Sequence, residues 1–184
     1  VSVLRKDISG VDGENIDDNT INAYLDVFRR MFLLDNQLPF APATRSSIRI
    51  KQAEKRHLAD PSLACALLKM TPQGLVNDLE TFGFLFEALC IRDLRIYAET
   101  FGAELYHYRD YKDNEFDAVI ELPDKRWCGV EVKLGANQID EAANNLIATQ
   151  MPNSDIIRTD GNEFVIYLVG YQTKQITSYI HKLN

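Results

Sequence analysis

At Ala103 the hydrophobic rhythm of the sequence changes from that of a helix to that of strands, and this change restricts the fold more than any other feature. Upstream, from Thr71-Pro72 onward, apolar residues recur at Leu75, Leu79, Phe82, Leu85, Leu89, Ile91, Leu94 and Tyr97, the spacing of a long helix with a broad buried surface. It is expected to end before Gly102 and to bend near Gly83. Downstream come three short runs rich in aromatic and β-branched residues, Glu104 to Arg109, Glu115 to Leu122 and Trp127 to Leu134. They are parted by the turn-like segments 110–114 and 123–126, so the pattern predicts a three-stranded antiparallel meander.

The remaining segments extend this order. Ile139, Ala142, Ala143 and Leu146 form one stripe of a predicted helix from Asn137 to Gln150 that packs on the sheet. A polar loop with Pro152, Asn153 and Asp160-Gly161 leads to an apolar strand, Phe164 to Val169, and residues 176–183 read as strand or helix. The core order is therefore α-β-β-β-α-β, an α/β fold. Before it, Asp60-Pro61 and Thr71-Pro72 each combine an N-cap oxygen with a residue already fixed at helical φ, and mark two helix starts. Thr20 is expected to cap an amphipathic helix carrying Ile21, Tyr24, Leu25, Phe28 and Phe32. Residues 1–18 hold five acids against Arg5 and Lys6 without an apolar period, and read as a tail or tether.

Charge narrows the function classes. Twenty basic against 27 acidic side chains give 20 − 27 = −7, which excludes the uniformly basic surface of a nonspecific nucleic-acid binder. A polyanion would have to be met locally. The one clearly positive run, 45–56, offers Arg45, Arg49, Lys51, Lys55 and Arg56 against Glu54. It reads either as a phosphate-tracking patch or as an edge strand whose Ile48 and Ile50 alternate with a solvated basic face. No apolar stretch approaches the roughly 20 residues of a membrane span, and no secretory signal pattern opens the sequence, so the expectation is a cytoplasmic protein without a membrane partner. Cys65, Cys90 and Cys128 lie in apolar runs without CxxC spacing and read as core residues in a reducing compartment. His57, His107 and His181 show no metal-ligand spacing. Tyr106 and Trp127 are expected to fill sheet faces.

Strand alternation places Glu115, Asp117, Val119 and Glu121 on one side and Phe116, Ala118 and Ile120 on the other. Glu131 and Lys133 share a face of the next strand. Any hairpin register that puts these groups on one face sets Asp117 opposite Glu131 or Lys133, with Cβ atoms about 4.5–5.5 Å apart. Two carboxylates that close repel unless a cation lies between them. A hard divalent ion, Mg²⁺ or Mn²⁺, suits oxygen donors of this kind, and Lys133 beside it could orient an attacking water or meet the charge of a phosphodiester transition state. The same spacing is also satisfied by a solvated face on which Lys133 neutralises both acids. Glu87, in the apolar run 82–91, is either paired or ligating, or faces solvent through a polar stripe with Asp78, Glu80 or Arg92. Gln138 is an accessory candidate for the same cavity.

Five ordered segments, Asp60-Pro-Ser-Leu-Ala, Gly83-Phe-Leu-Phe-Glu87, Tyr108-Arg-Asp110, Glu115-Phe-Asp117 and Glu131-Val-Lys-Leu-Gly135, resemble the C-terminal domain of unknown function of bacterial and archaeal AAA-type ATPases, which has a PD-(D/E)XK nuclease-like core. The resemblance covers roughly 19–150. It implies a restriction-endonuclease-like core, a mixed central sheet flanked by helices, over 59–184, with a helical extension and basic strand-like segment over 19–58. It also implies a prokaryotic, ATPase-associated protein in which Asp117, Glu131 and the Val132 carbonyl hold Mg²⁺ (or Mn²⁺), with Glu87 and Lys133 as catalytic residues acting on nucleic acid. Where the family has Pro before the metal-binding Asp, Phe116 stands here. No G-x-x-x-x-G-K-[ST] occurs, so the chain is not an ATPase by itself, and the ATPase module, normally on the same chain, is an expected partner. The alternative is a noncatalytic module that docks a protein or DNA, or a second copy through the apolar side of the first helix.

Overall fold

A hairpin from the first half of the chain lies against the meander of the second half, and together with a final strand pair they build one seven-stranded mixed sheet. The computed structural model describes residues 1–12, 16–41, 52–109, 115–134, 138, 154–161 and 164–171, the last two by backbone alone. In chain order the elements are α1 (Ser2–Asp12), α2 (Asp18–Arg30), β1 (Leu34–Pro39), β2 (Lys55–Leu58), α3 (Ser62–Leu67), α4 (Pro72–Asn77), α5 (Leu79–Glu99), β3 (Glu104–Arg109), β4 (Glu115–Glu121), β5 (Trp127–Lys133), β6 (Ser154–Gly161) and β7 (Phe164–Tyr171). The strand order is β2-β1-β3-β4-β5-β7-β6, with β1 parallel to β3 and every other neighbouring pair antiparallel.

The predicted meander is present as β3, β4 and β5, and the apolar strand near the C-terminus as β7. Helix α5 lies across one face of the meander. Its Ile91, Leu94 and Ala98 pack with Leu105, Ala118, Ile120, Cys128, Val130 and Val132 in a dry core. Elsewhere in the sheet, Phe40 stacks obliquely on Tyr106 and Trp127, with ring centroids 5.9 and 5.3 Å away. Cys65, Cys90 and Cys128 are free thiols; Cys128 is fully buried, and Cys65 and Cys90 are half-buried. Among the described residues no helix is long and apolar enough to cross a membrane.

Several local expectations change. Residues 2–12 are helical, not a tail: Leu4, Ile8 and Val11 stand at i, i+4 and i+7, a helical stripe among the charges, and an ion pair from Arg5 to Asp18 at 3.2 Å ties this helix to α2. Asp17, whose carboxylate accepts the Asn19 N–H, caps α2 in place of Thr20, and Phe32 lies beyond the helix end at φ 57°. Thr71 caps only the short α4; the long helix starts afresh where Asp78 accepts the Thr81 N–H at 3.1 Å. The break therefore falls at this competing cap and not at Gly83. Strand β1 is an interior strand despite its polar sequence, and its proline is placed at the strand end, where a missing N–H does least harm. Strand β6 replaces the polar loop expected around Asp160-Gly161; it forms the sheet edge, where charged residues are tolerated. The helix expected over 137–150 and the segment 176–183 lie outside the described residues.

Candidate functional site

A β-bulge gives the site its geometry. Strand β3 pairs Tyr106 with Val119 but Tyr108 with Phe116, so Asp117 and Ala118 together oppose the single residue His107. Strict alternation therefore fails at this point. Phe116 leaves the Ala118/Ile120 side; its ring packs on Tyr108 and occupies the space above Gly129, where a Cβ would come within 3.1 Å of it. The Asp117 carboxylate is thereby brought into the cleft that Glu87 of α5 borders. The β4–β5 ladder runs from Glu121↔Trp127 to Ala118↔Val130 and ends there, next to Asp117 on one strand and Glu131 on the other. There the Val132 N–H donates to Asp117 Oδ2 at 2.8 Å.

A buried glutamine holds this irregular turn of backbone. Gln37 of β1, fully inaccessible, donates through Nε2 to the carbonyls of Tyr106 and Asp117, both at 2.8 Å. Its Oε1 stands 3.0 Å from His57 Nε2. Because both amide hydrogens are used, this network assigns the proton to His57 Nε2. Burial, with Lys55 nearby, pushes His57 down to about 4 and keeps it neutral.

Four carboxylates and two ammonium groups then converge. Lys133 Nζ lies 2.7 Å from Glu131 Oε2 and 3.7 Å from Asp117 Oδ2. Lys55 Nζ, from β2, lies 2.5 Å from Glu115 Oε1, 3.5 Å from Glu87 Oε1 and 3.7 Å from Asp117 Oδ1. Asp117 and Glu131 are buried. Burial and the neighbouring Asp117 push Glu131 up to about 8 and raise Glu87 above the ordinary glutamate value. Burial alone would lower both lysines, but the surrounding carboxylates overcome it and hold Lys55 and Lys133 above the ordinary lysine value. Both ammonium groups are thus fixed cations. With every member ionised the group carries an excess of two negative charges, 4 − 2 = 2.

These side chains line one open cleft of about 680 Å³, together with Arg56, His57 and Phe84. The structure brings together Glu87, Asp117, Glu131 and Lys133 as the sequence suggested, with Val132 between the last two. Lys55, expected to track phosphates, instead points its ammonium group into the carboxylates. Arg56 is exposed at the cleft wall, whereas Arg45, Arg49 and Lys51 lie outside the described residues. Gln138 is exposed beside an adjoining depression lined by Glu87, Val132 and Lys133. Sequence reasoning did not name Glu115, Gln37 or His57 as site residues. Glu115 had a signal, two residues from Asp117; Gln37 had none.

The donor set is all oxygen and, when fully ionised, carries a two-charge excess, which fits a hard divalent cation. As the side chains stand, the two lysines bridge the acids, and among the described residues no three His, Cys, Asp or Glu are grouped into a ready-made cage.

Residues 82–180 match the family model described as Domain of unknown function (DUF4143), and residues 1–74 match the one described as Domain of unknown function (DUF8612). No curated protein and no solved structure matches the chain.

Proposed function

We propose that this chain, which belongs to the DUF4143 family, is a nuclease-like domain whose site hydrolyses phosphodiester bonds of nucleic acid with Mg²⁺ or Mn²⁺. The observation that carries the reading is the convergence of Asp117, Glu131, Lys133 and Glu87 where the β4–β5 ladder ends. A restriction-endonuclease-like core, with α5 and the β3–β5 meander as its centre, accommodates all four positions. Asp117, Glu131 and the Val132 carbonyl would hold the ion, and Glu87 would complete the site directly or through water. When bound, the ion supplies positive charge to the scissile phosphate and its attacking water. Lys133 stays protonated among its acids, so its part is to orient that water and to meet developing negative charge, not to remove a proton. Arg56 at the cleft wall is placed to contact a phosphate of the substrate backbone. An AAA-type ATPase module would deliver the strand.

One observation favours a second reading, a noncatalytic docking module: Lys55 and Lys133 between them already pair all four carboxylates. Cleavage assays separate the two. With Mn²⁺ or Mg²⁺ and single-stranded DNA, duplex DNA and RNA offered in turn, the wild-type chain is expected to cut at least one, and Asp117→Asn and Lys133→Met to lose about 10²–10³-fold in rate while melting cooperatively. A folded, Mn²⁺-loaded wild type that cuts none of them overturns the hydrolase reading in favour of docking.

A further inference from the structure

The residues of the candidate site do not all come from the segment that matches DUF4143. Glu87, Glu115, Asp117, Glu131 and Lys133 fall within 82–180, but Lys55 belongs to the hairpin of the preceding 1–74 match. Its strand pairs Lys55 with Gln37, the residue that holds the Asp117 carbonyl. Lys55 is thus fixed to the backbone that fixes Asp117, and its side chain is about three-quarters shielded from solvent.

Asp117 faces a cation on each side. Oδ2 lies toward Lys133 and Glu131, and Oδ1 toward Lys55, where Glu115 and Glu87 also converge. We propose that Lys55 is a built-in second cation of the site, an ammonium group standing where three carboxylates would otherwise gather a second ion, so that the site takes one divalent cation and not two. The inference rests on the reading of this group as a divalent-cation site. It follows from the charges of the fully ionised group, the form that binds a cation: four acids less two lysines leave an excess of two, which one divalent ion neutralises. Without Lys55 the excess is three, and Glu87, Glu115 and Asp117 face one another as free oxygen donors, the chemistry that a further hard cation accepts. His57, neutral and committed to Gln37, is no substitute for the lost charge.

The test counts ions and needs no substrate. Mn²⁺ is titrated calorimetrically into the full wild-type chain, Lys55→Met and Lys55→Arg, with free Mn²⁺ followed by electron paramagnetic resonance. One bound ion per wild-type chain, two per Lys55→Met chain and one per Lys55→Arg chain are expected. Lys55→Gln is read in the same way if Lys55→Met does not melt cooperatively. One ion on both wild type and Lys55→Met overturns the assignment of Lys55 and leaves the cation site standing, as do two ions on the wild type. An ion held by Lys55→Met alone also overturns it, since Lys55 would then replace the only ion. No Mn²⁺ on any of these chains removes the cation site itself, and the role of Lys55 with it.

Discussion

The two ends of the β4–β5 pair, under the two halves of α5, are built from the same elements to opposite purposes. At one end Ala118, Ile120, Cys128 and Val130 meet Ile91, Leu94 and Ala98 with almost no exposure. At the other end Glu115, Asp117, Glu131 and Lys133 meet Glu87 and Lys55 around an open cleft. The dry end gains free energy from apolar burial. The charged end buries carboxylates side by side, and burial first, then the neighbouring Asp117, raises the proton affinity of Glu87 and Glu131. The carboxylates are thus held together by the strands and helix that carry them, with Lys55 and Lys133 offsetting part of their repulsion. Core and site are therefore separable by mutation.

The largest effect is expected in the core. Ile91 is fully buried, and Ile91→Ala leaves a cavity between α5 and the meander worth about 2–5 kcal/mol. Urea unfolding is expected to show that loss while Mn²⁺ affinity, measured well below the transition, stays near that of the wild type. A parallel loss of Mn²⁺ affinity in a fully folded population would break the separation. Gln37 sits at the seam between the two ends, and Gln37→Leu removes the donor from the Tyr106 and Asp117 carbonyls and the acceptor from His57. A cost of about 1–3 kcal/mol is expected for buried groups left unpaired. Unlike Ile91→Ala, it is also expected to shift the amide resonance of Val132, whose N–H is bonded to the Asp117 carboxylate. An unmoved Val132 resonance would mean that the bulge holds its shape without Gln37.

The dry end was legible in the sequence because its signals are periodic. The three meander strands and the apolar stripe of α5 repeat at 2.0 and 3.6 residues, and burial follows the period. Asp117, Glu131, Lys133 and Glu87 were also legible, as charges in segments otherwise made for burial. What alternation could not show was the bulge at Asp117, because an extra residue in one strand depends on its partner's register. It turned Phe116 onto Gly129 and set Asp117 among residues that the period placed elsewhere. Gln37, and the turn of Lys55 toward the carboxylates instead of a phosphate, were hidden for a related reason. Their strands are short and polar, and their places depend on the long-range pairing of β1 with β3, 68 residues apart at Leu38↔Tyr106. The local sequence of β1 argues for a loop.

The smallest effect expected concerns the cost of charge at the site. Glu131 has its pKa raised to about 8, first by burial and then by Asp117, from an ordinary value of 4.5. The native chain therefore binds a proton at Glu131 more tightly than the unfolded chain does. Its contribution to stability is fully present below about pH 4.5 and is lost as pH rises toward about 8, because the slope of stability with pH is negative wherever the native state holds more protons. Glu131→Gln carries a neutral group at every pH and lacks this slope. In metal-free buffer the variant and the wild type are expected to melt together near pH 5, with the variant a few degrees higher by pH 9. The difference is reduced by the partner that Lys133 loses at 2.7 Å. Saturating Mn²⁺ is expected to reverse the order at pH 9, since ligand binding stabilises whichever chain holds it more tightly and only the wild type keeps both carboxylates. Melting curves that stay parallel from pH 5 to pH 9 would show that ionised Glu131 is as comfortable in the fold as in water, and the two ends of the strand pair would then differ in polarity alone, not in the free energy of holding their side chains together.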